Sequence, residues 1–335
     1  MSGVQTHRFW SAACSSKPGQ QAGLSLVELL ISMTLGLFVM AGILQILMTS
    51  KVTYRVQEAV GRVQENGRYA IDLIARDIRT AGYAGCTRLA NLQDNPNGLL
   101  TGTAAFDADG FLWGADSLPV GNALGATPMT DSLTVRAMSP NALPLQSDMA
   151  GAASAINVPT TGLDWAVGDL MMIANCEAFD LFIVTGMSGT NPVSITPTTA
   201  LSRPYAAGSL VGPLRDYTYA VKPDTGNANT PTLWRIETGR DTTPATELPS
   251  PIAEGVTDLQ VRYLVGTDYV AASGITDWSD VQAVRVSLLV ESREENVLPA
   301  SRAVYFNGAM APDADGSRRM RQVFTTTAGT RNRLP

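Results

Sequence analysis

The first third of the chain divides by its pattern of apolar and polar positions. From Leu24 to Met48 the sequence is apolar on all sides, and Glu28 is its one ionisable side chain. As an α-helix rising about 1.5 Å per residue, this stretch would extend roughly 37 Å, more than the ~30 Å hydrocarbon core of a bilayer. The pattern therefore predicts a membrane-spanning helix over 24–48.

From Thr49 onward the apolar residues lie on one side only. They recur every three or four positions, with Gly67 in the one gap: Val52, Val56, Val60, Val63, Ile71, Ile74 and Ile78. This spacing predicts an amphipathic helix over 49–82, continuous with the apolar helix and ended by Gly82 and Gly85. The stripe needs a partner, which is a sheet of the same chain or, alternatively, a second helix in a coiled-coil stalk. Gly61 and Gly67 interrupt the short repeat and weigh against the stalk.

Residues 83–335 read as a β-rich head. The stretch up to Thr130 is rich in Gly, Asn, Ala and Pro, which predicts a loop with few regular elements. Short segments rich in Val, Leu, Ile and Tyr follow, separated by turn residues. They are Ser132–Arg136, Asp169–Ile173, Leu181–Thr185, Tyr217–Lys222, Leu233–Ile236, Leu259–Leu264 and Val281–Val290. We predict an antiparallel sheet, with the last strand near its centre and Arg285 and Ser287 facing away from the core.

The start of the apolar stretch has an unusual arrangement of residues. A carboxylate at the centre of a bilayer costs about 2.5–3.5 kcal/mol, so Glu28 needs a partner or a position near the interface. Residues 1–23 carry Arg8 and Lys17 but no acid, which keeps the amino terminus in the cytoplasm. If the chain is cut between Gly23 and Leu24, Glu28 becomes the fifth residue after a new terminal amine.

This arrangement of Gly23, Leu24 and Glu28 resembles the processing site of type IV prepilins. The resemblance implies that a membrane peptidase removes residues 1–23 and methylates the new amine, and that Glu28 guides the subunit into a growing filament. It also implies a pilin-like α+β fold: a long N-terminal helix, transmembrane and then amphipathic, packed on an antiparallel β-sheet head.

Three further stretches resemble the PilW-type minor pilins. They are Gln64–Ala70 with Ala81–Cys86, the strand Val281–Val290, and the tail Arg321–Thr327 with Arg331–Arg333. This resemblance implies a minor pilin that primes type IV pilus assembly in a tip complex and supports adhesion and twitching motility. Its implied partners are other minor pilins, the major pilin, the prepilin peptidase and the inner-membrane assembly machinery. Its implied location is the inner membrane, with a periplasmic head, and then the pilus fibre.

Two alternatives share most of these features. A minor pseudopilin of a type II secretion system would have the same anchor, cut and mixed helix–sheet head. A tip adhesin would use its head chiefly to bind a surface ligand. The sequence alone does not separate them.

The cysteines fit a translocated head. Cys14 leaves with residues 1–23, so the processed chain keeps Cys86 and Cys176. An even pair in an extracytoplasmic domain predicts a disulfide, with two free buried thiols as the alternative. The closed loop would stabilise the fold by about 4–5 kcal/mol in the chain-entropy model.

Charge gives little sign of a nucleic-acid ligand. The net charge is −6, and losing Arg8 and Lys17 leaves 22 basic against 30 acidic side chains, or −8. An acidic head repels phosphates. For the local cluster Arg318, Arg319 and Arg321 we expect a solvated or subunit-facing role rather than DNA capture.

The sequence does not point to an enzyme or a cofactor. The one histidine, His7, leaves with residues 1–23, which excludes Ser-His-Asp and Cys-His arrangements and imidazole-dependent metal sites. A weak calcium pattern, DxDG, occurs twice, at Asp107 and Asp109 and at Asp313 and Asp315. Because Asp and Gly also form ordinary turns, we expect turns rather than a metal site there.

Overall fold

A computed structural model describes residues 23, 25–86, 110–159, 165–224, 226, 230–238, 248–313 and 315–330. The predictions for Arg8, Lys17, His7, Cys14, Leu24, Asp107, Asp109, Arg331 and Arg333 lie outside these residues. The chain divides into two compact units, Met1–Tyr54 and Arg55–Pro335.

One helix, α1, runs without interruption from Leu26 to Thr80. Its first backbone donors, Glu28 and Leu29, bond the Ser25 carbonyl at 3.0 Å each. At its end, Tyr83 donates to the Thr80 carbonyl at 2.9 Å, and Gly82 takes φ +69°, which a residue without Cβ adopts readily. By length and composition α1 can cross a membrane, with a mean hydropathy of 2.2 over its most apolar window. Because the helix is unbroken, the boundary that we predict at Met48 and Thr49 stays a prediction.

The predicted apolar stripe is buried only in its later part. The buried helix positions are Ala59, Val63, Gly67, Ala70, Ile71, Ile74, Ala75, Asp77 and Ile78. Val56 and Val60 are half-buried, and Val52 is exposed. The partner of the buried stripe is the chain's own sheets, as predicted, so the coiled-coil alternative is wrong for this part of α1.

The strands of the larger sheet occupy the first part of the second unit. They are β1 Leu112–Ala115, β2 Ser132–Met138, β3 Leu143–Pro144, β4 Ile156–Val158, β5 Leu170–Ala174, β6 Phe179–Ser188, β7 Val193–Pro197, β8 Leu210–Pro223, β9 Pro231–Thr238 and β10 Leu248–Glu254. The long strand β8 connects this sheet: its first half pairs with β3 and β5, and its second half pairs with β2 and β9. Every pairing is antiparallel.

The smaller sheet has four antiparallel strands in the order β12-β11-β13-β16. Their bounds are β11 Val256–Val265, β12 Asp268–Val270, β13 Val281–Glu291 and β16 Arg321–Gly329. A separate hairpin joins β14 Val304–Phe306 to β15 Ala309–Ala311. The predicted α+β fold with antiparallel sheets is confirmed, and β13 is an inner strand on which Arg285 is exposed.

The sequence prediction missed several strands, among them β1, β4, β7, β10 and β16. In the stretch up to Thr130, where we predicted a loop with few regular elements, the short strand β1 at Leu112–Ala115 pairs with β2, because its Leu112 fills a buried site in the main core. We did not predict β16, although Val323 and the threonines that follow are β-branched and favour strands.

The main core lies between the later part of α1 and strands of both sheets. It combines Ile74 and Ile78 of the helix with Leu133, Val286 and Leu288 of the strands, all fully buried. Separate clusters fill the sheet around β4–β7 and the region next to the helix end. The stripe thus supplies one wall of the core.

Candidate processing and helix-docking sites

The predicted processing segment lies at the start of α1. Gly23 and Ser25 are exposed, and Glu28 stands exposed in the first helical turn. The backbone carbonyl of Glu28 accepts a hydrogen bond from the Ser32 hydroxyl at 2.7 Å. Among the described residues no cation pairs with Glu28. The roles of Gly23, Leu24 and Glu28 in processing and assembly therefore stay predictions.

The apolar side chains before and after Glu28 in this segment have no partner in the described part of the chain. The exposed fraction reaches 76% at Leu26 and 78% at Phe38 and is still 49% at Ile43. Adding a Cβ at Gly36 or Gly42 would meet nothing within 4 Å. A surface of this size needs lipid or another protein around it.

Gly67 is a point of close approach between α1 and the smaller sheet. The ring of Phe324, on β16, lies over this glycine, and a Cβ placed at Gly67 would collide with that ring. The glycine that fills the gap in the apolar stripe therefore makes room for an aromatic ring. This contact joins the helix segment and the tail strand that carry the resemblance to the PilW-type pilins.

Asp77 is a buried carboxylate on the docked face of α1. Its Oδ2 atom accepts a hydrogen bond from the Tyr219 hydroxyl, on β8, at 2.5 Å and lies 3.6 Å from Nε of Arg235, on β9. The Arg235 guanidinium in turn lies 3.7 Å above the Tyr217 ring. These groups fix the last turn of the helix to two neighbouring strands.

Burial controls the ionisation of this cluster. It raises the pKa of Asp77 above the usual aspartate value, although the Tyr219 hydrogen bond and the charges of Arg235 and Arg76 act in the opposite direction. Burial, the Asp77 charge and the shared hydrogen bond raise the pKa of Tyr219, so the phenol stays protonated and remains a donor. The folded protein thus holds a carboxylate for which the charged form is costly.

The segment after α1 is bonded to the larger sheet. The Gly82 N–H donates to the Arg136 carbonyl at 2.9 Å, and the Met138 N–H donates to the Tyr83 carbonyl at 2.8 Å. Arg136 and Met138 both belong to β2. A disulfide then joins Cys86 to Cys176, with a Cα–Cα distance of 4.7 Å. Both cysteines are exposed, which disagrees with the alternative of free buried thiols. The disulfide connects the end of the helix to the turn after β5.

The second DxDG segment forms a turn. Asp313 accepts hydrogen bonds from the Ser317 hydroxyl at 3.2 Å and the Arg318 backbone N–H at 2.9 Å, and Asp315 accepts from the Ser317 backbone N–H at 3.0 Å. Desolvation acts to raise the pKa of Asp313, but hydrogen bonds with the Arg318 backbone and with the side chains of Asp315, Ser301 and Ser317 lower it to about 2. Within the described ranges, no three acidic, His or Cys side chains group as metal ligands. Asp107 and Asp109 lie outside those ranges.

The arginines near the C-terminus are bonded within the head. Arg319 bonds the Arg293 carbonyl at 2.8 Å and pairs with Glu295 at 2.7 Å. Arg321 pairs with Glu291 at 2.6 Å, and Arg318 bonds Asn296. These arginines therefore have partners within the head, and the solvated or subunit-facing role that we expect for them stays a prediction.

Sequence reasoning missed the cluster of Asp77, Tyr219 and Arg235. Our prediction for the stripe of α1 did not include Asp77, although it follows Ile74 by three positions and so falls on the buried stripe. An acid on an apolar helix face is a usable signal. Its partners on β8 and β9 are 142 and 158 residues away and needed the fold.

The chain matches two protein-family models. Residues 218–332 match the family described as Type IV Pilus-assembly protein W, and residues 19–44 match the prokaryotic N-terminal methylation motif. No curated protein matches. Among solved structures, the type IV-like pilin TTHA1219 from Thermus thermophilus is similar, with 14% identity, coverage of 82% of this chain and 99% of that chain, and a TM-score of 0.36.

Proposed function

Since this chain is a type IV pilus minor pilin of the PilW type, with a prepilin methylation motif at its start, we propose that it primes pilus assembly. In this proposal it belongs to a complex of minor pilins, which lies at the pilus tip and supports adhesion and twitching motility. The observation that carries the proposal is the exposed apolar helix with a carboxylate in its first turn that has no ion-pair partner among the described residues.

The proposed sequence of events begins in the inner membrane. The apolar part of α1 anchors the subunit, and the prepilin peptidase cuts between Gly23 and Leu24. The cut creates a terminal amine at the start of the mature chain, and that amine is methylated. In the low-dielectric surroundings of the membrane, the Glu28 carboxylate then pairs with the terminal amine of a neighbouring subunit and fixes the register between them.

In this proposal the apolar helices pack side by side, and this packing brings Glu28 close to the terminal amine of a neighbouring subunit. In the fibre, the side chains of Leu26–Met48 contact neighbouring helices instead of lipid tails. Without Glu28, no charged contact would specify the register between the apolar helices of neighbouring subunits. We expect specificity of insertion, rather than stability of the head, to depend on Glu28.

We prefer the role in pilus assembly to the two alternatives, a pseudopilin of a secretion system and a tip adhesin. The match of residues 218–332 to a pilus-assembly family supports a pilus over a secretion system. The described head offers no feature that favours a particular surface ligand, so we do not propose adhesion as its primary role.

The test is to replace Glu28 by Ala in the full-length protein, in cells that make pili. We expect normal cleavage after Gly23, by mass spectrometry of the mature N-terminus, and near loss of this protein from sheared fibres, by immunoblot. The matched control is Glu58→Ala, which removes an exposed carboxylate from the same helix that pairs only with Arg62 on the surface. Wild-type amounts of the Glu28→Ala protein in the fibres would contradict the proposal.

A further inference from the structure

The edges of the two sheets are not equally protected against pairing with another strand. In the larger sheet, the outer strands β1 and β4 have four and three residues, and β10 carries Pro249 and Pro251. In the smaller sheet, β12 has three residues. Short edges and prolines are the usual means by which proteins keep sheet edges from pairing.

The strand β16 lacks these features. It has nine residues, no proline, and an unbroken register of nine pairs with β13. In the described part of the chain, the smaller sheet ends at β16. Among the described residues it is therefore a long and regular edge that lacks these protective features.

The register shows which backbone groups of β16 face outward. Ser292 donates to the Met320 carbonyl at 2.7 Å, and Thr330 donates to the Gln282 carbonyl at 3.0 Å, so these two pairs at the ends of the ladder are hydrogen-bonded pairs. Hydrogen-bonded pairs alternate along an antiparallel ladder. The even-numbered residues from 322 to 328 therefore bond β13. The odd-numbered residues Arg321, Val323, Thr325, Thr327 and Gly329 point their N–H and C=O groups away from the sheet.

Side-chain contacts hold β16 in place on both faces, and none of the described strands pairs with its outward edge. On the inner face Phe324 packs over Gly67 of α1, and on the outer face Thr325 bonds Ser287 at 3.0 Å. The β14–β15 hairpin lies across the outer face, where Asn307 bonds Gln260 of β11 at 2.8 Å. Since that hairpin forms its own two-stranded sheet, it does not take the ladder positions of β16.

We propose that the edge of β16 pairs with an extended strand from a neighbouring, different pilus subunit. This inference rests on the proposed function, which places such a subunit beside this one. Three observations support a pilus subunit as the occupant: β16 packs directly on α1, the helix in which we propose the assembly contact; it lies inside the region that matches the pilus-assembly family; and it has no charged side chain after Arg321. The fitting partner is an uncharged, proline-free strand that adds to the sheet through backbone hydrogen bonds.

The first test uses two substitutions at Thr325 in the full-length protein. Thr325→Pro removes an outward N–H that β13 does not use, whereas Thr325→Val keeps that N–H and the strand preference. We expect detergent extracts to yield about tenfold less co-purified neighbouring subunit with Pro, and wild-type amounts with Val. Equal recovery with both would overturn the proposal, as would recovery of a second copy of this chain as the strand partner.

The second test needs no substitution, and it applies even if the proline variant fails to fold. Hydrogen exchange is measured at single-residue level for the detergent-solubilised protein alone and for the purified assembly. We expect exchange at Val323, Thr325 and Thr327 to slow by about tenfold or more on assembly, while Phe324 and Thr326 are slow in both states. Unchanged exchange at the odd positions would overturn the edge contact.

These results are separable from a failure of the proposed function. If Glu28→Ala removes the protein from the fibres while Thr325→Pro and the exchange pattern show no edge contact, assembly through α1 stands and the β16 proposal fails. If Glu28→Ala has no effect, the proposed function fails first.

Discussion

The two ends of α1 are parts of one unbroken helix, yet they differ in what covers them. From Leu26 to Met48 its side chains are exposed, with Phe38 at 78%. From Ala59 to Ile78 one stripe is buried, and Ile74 and Ile78 are at 0%. The difference follows from the spacing of apolar residues, which surrounds the helix in the first part and follows one face in the second.

The comparison shows how one helix can serve two kinds of partner. The second part finds its partner within the chain, so its contacts are permanent and specific, with a ring over Gly67 and a hydrogen bond at Asp77. The first part has no partner within the described chain, so its surroundings can change from lipid to neighbouring subunits. Substitutions should therefore affect stability in the second part and assembly in the first.

The largest expected effect comes from the disulfide that ties the docked part of the helix to the larger sheet. Replacing Cys86 and Cys176 together by Ser opens a loop with a sequence separation of 90 residues. We expect the free energy of unfolding of the head to fall by about 4–5 kcal/mol, measured by denaturant titration of the full chain in detergent. Cys14→Ser is the control and should change nothing after processing. If the free energy of unfolding falls by less than about 1 kcal/mol, the disulfide does not stabilise the docked helix as we expect.

A smaller effect is expected at Asp77, and it depends on pH. Asp77→Ala leaves the buried Tyr219 hydroxyl without its acceptor and should cost about 1–3 kcal/mol at neutral pH. Asp77→Asn keeps an acceptor of the same shape and should stay within about 1 kcal/mol of the wild type.

The pH dependence follows from the direction of the Asp77 shift. Because the folded-state pKa is raised, the folded protein binds more protons than the unfolded chain, and stability falls as pH rises from the unfolded value of 3.8 through the raised folded value. Urea titrations across acidic pH should show this fall in the wild type and less of it in Asp77→Asn. The same slope in both proteins would mean that Asp77 does not titrate as described.

The smallest of these effects is expected at Gly67 and gives the sharpest comparison between the two parts of the helix. Gly67→Ala should destabilise the head. Overpacking against Phe324 costs about 1–3 kcal/mol, which exceeds the ~1 kcal/mol of helix stability gained by replacing Gly with Ala. Gly61→Ala and Gly42→Ala are matched controls, since their added Cβ atoms meet nothing within 4 Å. Adding Phe324→Ala should relieve the cost at Gly67, and thermal unfolding of the double mutant cycle measures this coupling. Equal melting temperatures for Gly67→Ala and Gly61→Ala would show that the ring moves aside freely.

Local patterns in the sequence were sufficient for much of this architecture. Periodicity predicted the long helix and its stripe, and alternation predicted inner strands such as β13, because both signals come from neighbouring residues. The pairing of Asp77 with Tyr219 and Arg235 could not be predicted, since it depends on how β8 and β9 lie against the helix. Gly67 was misleading for the same reason: in sequence it is a gap in the stripe, and only the position of Phe324 shows that the gap is filled.

Edges are the other feature that local patterns miss. The run Val323–Thr327 favours a strand, but its position at the end of a sheet depends on the order of four strands. The prolines of β10 and the regular backbone of β16 become informative only when that order is known.

Covalent labelling of the side chains of α1 would test the difference between its two parts most directly. A lipid-soluble carbene reagent is applied to the full-length protein in membranes and in sheared fibres, and labelled residues are located by mass spectrometry. We predict strong labelling of Leu26–Met48 in membranes that falls in fibres, and little labelling at Val63, Ile74 and Ile78 in either state. Strong labelling of those three residues in membranes, or undiminished labelling of Leu26–Met48 in fibres, would contradict the division of the helix into a docked part and an assembly part.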